Sequence, residues 1–305
     1  MVTVSPVEVA ELGRVVAVHN AVRPDDPTTV DELVDWKRQA EDMVWLVATS
    51  GGEDAGAGVG LVGWHSEPQT ARGETWVLSH LRGRGVGSAI FVELERWGAQ
   101  RGCTAMQTQV EEDDEASLAW AARRGFSEVG RESQLVLDLD AIEAPAIDPA
   151  PGIVITTWAE RLGIERELYA VYVEAEPDIP GEEANEVAPF EKWLASDMQG
   201  LSDRPDAVFV ALAGEEVVGY AKLAFPPEGT RVVHDLTGVK RAWRGRGIAG
   251  ALKRAQIAWA KEQGYERLVT GNEERNEPIR RLNLRHGYRV EPGKVFLRRT
   301  ISGDA

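Results

Sequence analysis

The sequence has a single cysteine, Cys103, only five histidines, and 34 basic residues against 50 acidic ones over 305 positions. Each scarcity excludes something. One cysteine rules out an internal disulfide and makes cytoplasm the expected compartment. His19, His65, His80, His234 and His286 are scattered without the spacing of metal ligands, so no metal site is expected. A net charge of −16 argues against a nucleic-acid partner, because binding phosphates takes an excess of Lys and Arg over a broad face. No apolar run reaches the roughly 18 residues of a membrane span. The opening segment MVTVSPVEVAELGR lacks a basic stretch followed by an apolar one, so no secretory leader is expected.

What is present is ordinary in bulk and unusual in order. The apolar fraction is 43% and the charged fraction 28%, typical of a water-soluble globular chain. The length suits two domains. Placing the segment from Val77 over the segment from Val239 aligns about fifty positions without a gap, with about fourteen identities. Arg82, Gly83, Arg84 and Gly85 meet Arg244, Gly245, Arg246 and Gly247. Trp97, Gly102, Thr108 and Gly125 meet Trp259, Gly264, Thr270 and Gly287. The chain is a duplication. The Pro- and Ala-rich stretch Asp138–Gly152 reads as a linker, which predicts domains over residues 1–150 and 151–305.

Each half reads as mixed α/β. In the second, strands are predicted over 153–158, 207–214, 216–225 and 230–239, a helix from about Gly247 to Gln263, a strand near 266–272, a short helix capped by Asn276, and a last strand over 294–300. The first half repeats this order.

The RGRGVG and RGRGIA segments join a strand to a helix with glycine at alternate positions. Missing side chains let a bulky ligand approach the main chain, and the helix start leaves N–H groups unpaired. Such a terminus attracts anions, and the arginines add charge-assisted hydrogen bonds to phosphate oxygens. The Gly-Lys-Ser/Thr end of a nucleotide-triphosphate loop is absent, and neither copy fits a dinucleotide loop.

At these residues the sequence resembles the GNAT superfamily of N-acetyltransferases, whose acetyl-CoA pyrophosphate motif is R-x-x-G-x-G/A between a strand and a helix. Arg82, Gly85 and Gly87 match it in the first half; Arg244, Gly247 and Ala249 match it in the second. Thr270, Asn272, Asn276, Gly287 and Tyr288 resemble the downstream pattern, as does Arg123–Phe126 in the first half. The resemblance implies two α/β domains, each a twisted, mostly antiparallel sheet splayed beside the turn and flanked by helices. It also implies direct transfer of an acyl group from acetyl-CoA, the co-substrate, to an amine.

For the site, the resemblance implies CoA contacts from Val239, Arg244, Gly245, Arg246, Gly247, Ala249, Asn272 and Asn276. In the first copy it implies Arg82, Gly83, Arg84, Gly85 and Gly87. A main-chain N–H near Val239 is expected to meet the oxyanion. Asp235 is the expected base, with His234 as its rival; strand alternation points only one of them into a cleft. Family members often carry a tyrosine acid where this chain has Ala121 and Asn283; Asn283 offers at most a hydrogen bond to sulfur. The first half has Arg72 and Gly73 opposite His234 and Asp235, so the second half is expected to catalyse and the first to be structural or CoA-holding. The expected acceptor is a small-molecule primary amine. The alternatives are a CoA-binding sensor without turnover, a mycothiol-synthase-like enzyme, or a protein N-acetyltransferase. Oligomeric state, monomer or homodimer, is open.

Overall fold

The computed structural model describes residues 1–63, 69–179, 187–226, 230–273 and 277–301, without the side chains of residues 272, 273 and 278. The chain forms two compact units: Met1–Gly130 with Lys294–Ala305, and Arg131–Gly293.

In the first unit the strands are β1 (Val2–Pro6), β2 (Asp42–Ser50), β3 (Glu53–Val62), β4 (Thr70–Val77) and β5 (Ala105–Glu111). The helices are α1 (Leu12–Val22), α2 (Val30–Gln39), α3 (Val86–Gln100) and α4 (Glu115–Ala122). Thr29 and Glu32 start α2 with a reciprocal capping box. Strands β1 to β4 pair antiparallel with their neighbours, while β4 and β5 run parallel.

The second unit opens on β6 (Ser127–Asp138) and continues with β7 (Ile153–Thr157), α5 (Glu165–Ala175), α6 (Phe190–Trp193), β8 (Val208–Ala213), β9 (Glu216–Ala224) and β10 (Arg231–Val239). It closes with α7 (Ile248–Glu262), β11 (Arg267–Glu273), α8 (Glu277–Arg285) and the start of β12 (Arg289–Thr300). Strands β7 to β10 pair antiparallel, and β10 runs parallel to β11.

The expected boundary near Ala150 is corrected by the pairing. Glu132–Asp138, from the first sequence half, pairs antiparallel with β11. Lys294–Thr300, from the second half, pairs antiparallel with β5. Each sheet therefore takes a strand from the other half of the sequence, and the units divide at Gly130 and Gly293 rather than at the linker. The reason is backbone satisfaction: the outer edges of β5 and β11 need a hydrogen-bonding partner, and the nearest strand in sequence is not the one that supplies it.

Each sheet is covered on both faces. In the first unit α3 packs Val86, Ile90 and Leu94 on one face, and α1 packs Leu12, Val15 and Val18 against Trp45 and Trp76 on the other. In the second unit Ile248, Leu252 and Ala255 of α7 cover one face, while Leu168, Val171 and Tyr172 of α5 cover the other with Trp193 and Tyr220. Cys103 is buried, as expected of a small core residue. Trp64 and His65 lie outside the described residues.

Candidate active site

The two arginine–glycine turns have the same shape. Gly85 and Gly247 stand immediately before α3 and α7 with φ of 86° and 80°, and Gly83 and Gly245 have φ of 77° and 75°. These are left-handed conformations that favour glycine. A β-carbon on any of the four would meet nothing within 4 Å, so the glycines serve the backbone conformation and leave open space beside it. No side chain caps either helix start. Both turns thus present main-chain donors and arginines to a phosphate.

The arginines differ in what holds them. Arg82 Nε donates to the Val77 carbonyl at 3.3 Å, and Arg244 Nε to the Val239 carbonyl at 2.9 Å. Arg244 also reaches Asp178 at 2.6 Å, and Arg241 binds the same carboxylate at 2.8 and 2.9 Å. Hydrogen bonds from Arg241 and Arg244 hold the Asp178 carboxyl down to about 2. This latch ties the short 3-10 turn Glu176–Asp178, which follows α5, to the glycine turn. Arg246 stacks its guanidinium 4.6 Å from the Trp243 ring centroid.

Beside each turn the sheet opens. The parallel pair β10–β11 is in register only from Arg231–Val233 against Arg267–Val269. The pair β4–β5 is in register only from Thr70–Arg72 against Ala105–Gln107. Beyond these points the facing main-chain groups lack their sheet partner and are available to a ligand.

The two openings are not alike. In the second unit β10 carries a bulge: His234 pairs with Leu223, but Thr237 pairs with Ala221, so Asp235 and Leu236 together stand opposite Lys222. In the first unit β4 runs from Arg72 to Val77 against β3 without a shift. The bulge also corrects the ungapped alignment. Stepping back from Val77 opposite Gly56 and Val239 opposite Gly219, Gly73 falls at the place of His234 and Glu74 at the place of Asp235. The first copy therefore does have a carboxylate there. It is occupied: Gln109 of β5 donates to Glu74 at 2.9 Å across the opening, and Arg23 binds Glu111 at 2.5 Å at the end of β5. The position matching Gln109 in the second unit is Gly271, which has no side chain of its own; the Glu132 carboxylate of β6 lies against it.

On the α5 face of the second unit lies an acidic site. Lys222 is 4% exposed; its Nζ sits 2.8 Å from both Asp203 and Asp235 and also donates to the Asp197 carbonyl. Burial opposes the Lys222 charge, but Asp235 and Asp203 outweigh it and hold the ammonium above its ordinary pKa. The Asp235 side chain is 46% exposed and is the part of this cluster that a ligand reaches. Glu176 is half-buried, and burial with the charges of Asp197 and Asp235 pushes its carboxyl up to about 7. Sequence reading missed Glu176; it lies in the acidic run 174–186, whose signal was only its charge, and residues 180–186 of that run lie outside the described residues.

His234 points the other way, as strand alternation requires. It is 5% exposed, its Nδ1 is 3.0 Å from Gln256 of α7, and its Nε2 meets the Tyr288 hydroxyl. Burial, with the charge of Lys253, pushes its pKa well below the ordinary value. The expectation of His234 as rival base is corrected: both nitrogens are engaged in the core. Asn283 is fully buried, and its main-chain carbonyl accepts the main-chain N–H groups of His286 and Tyr288. Asn276 lies outside the described residues, and of Asn272 only the main chain in β11 is described.

The sequence matches the Acetyltransferase (GNAT) family over residues 15–126 and again over 157–288. No curated protein matches it. Among solved structures, a GCN5-related N-acetyltransferase from Sphaerobacter thermophilus is 21% identical with a TM-score of 0.77, covering 98% of this chain and 96% of that one. A tandem GNAT protein from the clavulanic acid biosynthesis pathway is 19% identical with a TM-score of 0.79, covering 99% of both. A fungal glucosamine N-acetyltransferase region is 17% identical with a TM-score of 0.73, covering 98% of this chain and 38% of that one. These likenesses establish the shared fold. With a family match in each half and the twin glycine turns, the chain belongs to the GNAT acetyltransferase family, for which acetyl transfer from acetyl-CoA is the implied activity.

Proposed function

We propose that the second unit acetylates a primary amine of a small molecule by direct transfer from acetyl-CoA, and that the first unit is structural. The observation that carries this reading is the bulge at Asp235–Leu236, where the first unit has a regular strand and a Gln109–Glu74 bridge.

The residues fit acetyl-CoA. The N–H groups at the start of α7 with Arg244 and Arg246 would hold the pyrophosphate, and Gly245 and Gly247 leave room for it. Main-chain N–H groups between Leu236 and Val239 that face the opened side would receive the oxyanion. Bound acetyl-CoA supplies an activated acyl group with a thiol leaving group. In the first unit, Arg82, Gly83, Arg84, Gly85 and Gly87 keep the turn, while side chains span its opening.

On the acceptor side, Asp235, fixed against Lys222, presents a negative charge to the incoming ammonium. Glu176 takes its proton, because a carboxyl near pKa 7 matches the working pH of a general base. Asp235 is committed to Lys222, so the proton-accepting role expected of it passes to Glu176. The acidity of this face favours cationic amines over peptide N-termini lacking charge nearby.

Thiol release from acetyl-CoA, followed across a panel of primary amines with Glu176→Gln as control, tests the reading. Amine-dependent release by the wild type, and its loss in the variant, is the expected result. Tight acetyl-CoA binding with no release for any acceptor would instead make the chain a sensor.

A further inference from the structure

On the α7 face of the second unit, beside the end of the β10–β11 pairing, lies a buried lysine. Lys253 is 1% exposed, and among the described residues no carboxylate pairs with it. Its Nζ lies 5.7 Å from the centroid of the Tyr288 ring. The Tyr288 hydroxyl meets Nε2 of His234, and His234 is the first β10 residue beyond the last pair with β11. Gln256, one turn along α7 from Lys253, holds the other nitrogen of His234. These four side chains form a polar floor next to the bulge at Asp235–Leu236.

The fold does not require this floor. In the first unit the corresponding positions are Gly73 for His234, Phe91 for Lys253, Leu94 for Gln256 and Phe126 for Tyr288. There Phe91 and Phe126 pack edge to face with centroids 5.6 Å apart. The same helix and strand accept an apolar floor in one copy and keep a buried ammonium in the other. An unpaired buried charge disfavours folding, so its presence only beneath the bulged strand points to an anion that arrives there. Acyl transfer produces one such anion at that place, the thiolate of CoA. The side chain at the position where the family often carries a tyrosine acid is Asn283, which has no proton to give.

We propose that Lys253 meets the departing CoA sulfur, stabilising its negative charge and protonating it. This rests on the acetyl-transfer reading above. In the step, the amine nitrogen bonds to the acyl carbon and the carbon–sulfur bond breaks with its electron pair moving to sulfur. The sulfur takes a proton from the Lys253 ammonium, and the proton lost by the amine passes to Glu176. Glu176, which has already passed the ammonium's first proton to solvent, releases this second one and Lys253 regains one, so each ammonium acetylated frees one net proton. Burial brings the Lys253 ammonium down to about 7, where proton donation near neutral pH is easy. The groups facing it are His234 from β10, Tyr288 just before β12, His286 after α8, and Gln256 on its own helix.

The test is Lys253→Met in the full chain, with acetyl-CoA binding by calorimetry, steady-state kinetics on an amine that the wild type acetylates, and thermal unfolding. The expected result is a fall in kcat of about 100-fold, acetyl-CoA affinity within threefold of the wild type, and a Tm equal to or above it. The wild-type kcat should decline as pH rises through about 7, where Lys253 loses its proton, and the variant should lack that decline. A kcat within threefold of the wild type, or a fall accompanied by lost acetyl-CoA binding, overturns the proposal. So does a variant whose decline persists, or a wild type that prefers a dicarboxylic acyl-CoA, which would make Lys253 a carboxylate receptor. A wild type that acetylates no amine refutes the acetyl-transfer reading itself, an outcome separate from all of these.

Discussion

Gln109 of β5 donates to Glu74 of β4 at 2.9 Å, across the place where these two strands part company. Glu74 holds the position that Asp235 holds in the second copy, and Gln109 the position of Gly271. This side-chain bridge spans the first copy, while in the second the Glu132 carboxylate lies over Gly271, although both keep the same glycine turn. Both copies keep the geometry of the arginine–glycine turn and differ in the strand beside it.

This asymmetry predicts one productive acetyl-CoA site per chain. Arg244→Ala should weaken acetyl-CoA binding by about 10- to 100-fold, the range for losing a charged hydrogen-bond partner, and turnover should fall with it. Arg82→Ala should leave both within twofold. Calorimetric stoichiometry and steady-state rates check this, and equal losses from both variants would show that both turns serve catalysis.

The position of Glu176 predicts an acidic limb in the rate profile. Its carboxyl, raised to about 7 by burial, Asp197 and Asp235, must be ionised to accept a proton. The kcat/KM should therefore rise as pH increases toward about 7, and in the Lys253→Met variant, which lacks the opposing decline, level off above it. Glu176→Gln should remove that limb and lower kcat/KM by about 100-fold or more. An unchanged limb in the variant would assign the titration to another group.

Lys222 predicts a stability effect of a different kind. Its ammonium lies 2.8 Å from the Asp203 carboxylate, with side chains 5% and 3% exposed. Lys222→Met leaves Asp203 buried without its cation, which should cost roughly 3–5 kcal/mol in denaturant unfolding. The paired change Lys222→Met with Asp203→Leu should recover most of that loss, because the carboxylate then left without its cation is the half-exposed Asp235 rather than a buried one.

His234 predicts how stability responds to acid. Held neutral by burial, its folded-state pKa lies well below the ordinary value. Between that value and about 6.5 the unfolded chain binds a proton that the folded chain does not. Stability should therefore fall as pH drops below about 6.5, by up to about 1.4 kcal/mol per pH unit from this group. His234→Gln should show a shallower decline over pH 6.5 to 5 when unfolding midpoints are compared.

Much of this was legible in the sequence because it depends on local rules. Alternation and glycine punctuation placed the strands and the α7 helix. A glycine needed for left-handed backbone, as at Gly85 and Gly247, is visible as a glycine. The repeat exposed the duplication, and strand alternation already required Asp235 and His234 to face opposite sides. Which of them faced the cleft was a choice the sequence left to a resemblance.

The rest depended on pairing over long distances in the chain. That β6 joins β11, and that residues 294–300 join β5, follows from which open sheet edge each strand satisfies; no local signal marks it, and the linker composition suggested another boundary. The bulge at Asp235–Leu236 is a mismatch between two strands, so it is absent from either strand read alone. Glu176 gained its raised pKa, and Lys253 its isolation, only from what the fold packs around them. The sequence by itself determined two arginine–glycine turns and the fold that carries them. Tertiary structure decided which turn lies beside a bulged strand and a buried lysine, because strand register and burial, not residue identity, set where a strand departs from its neighbour and which charged groups lose water.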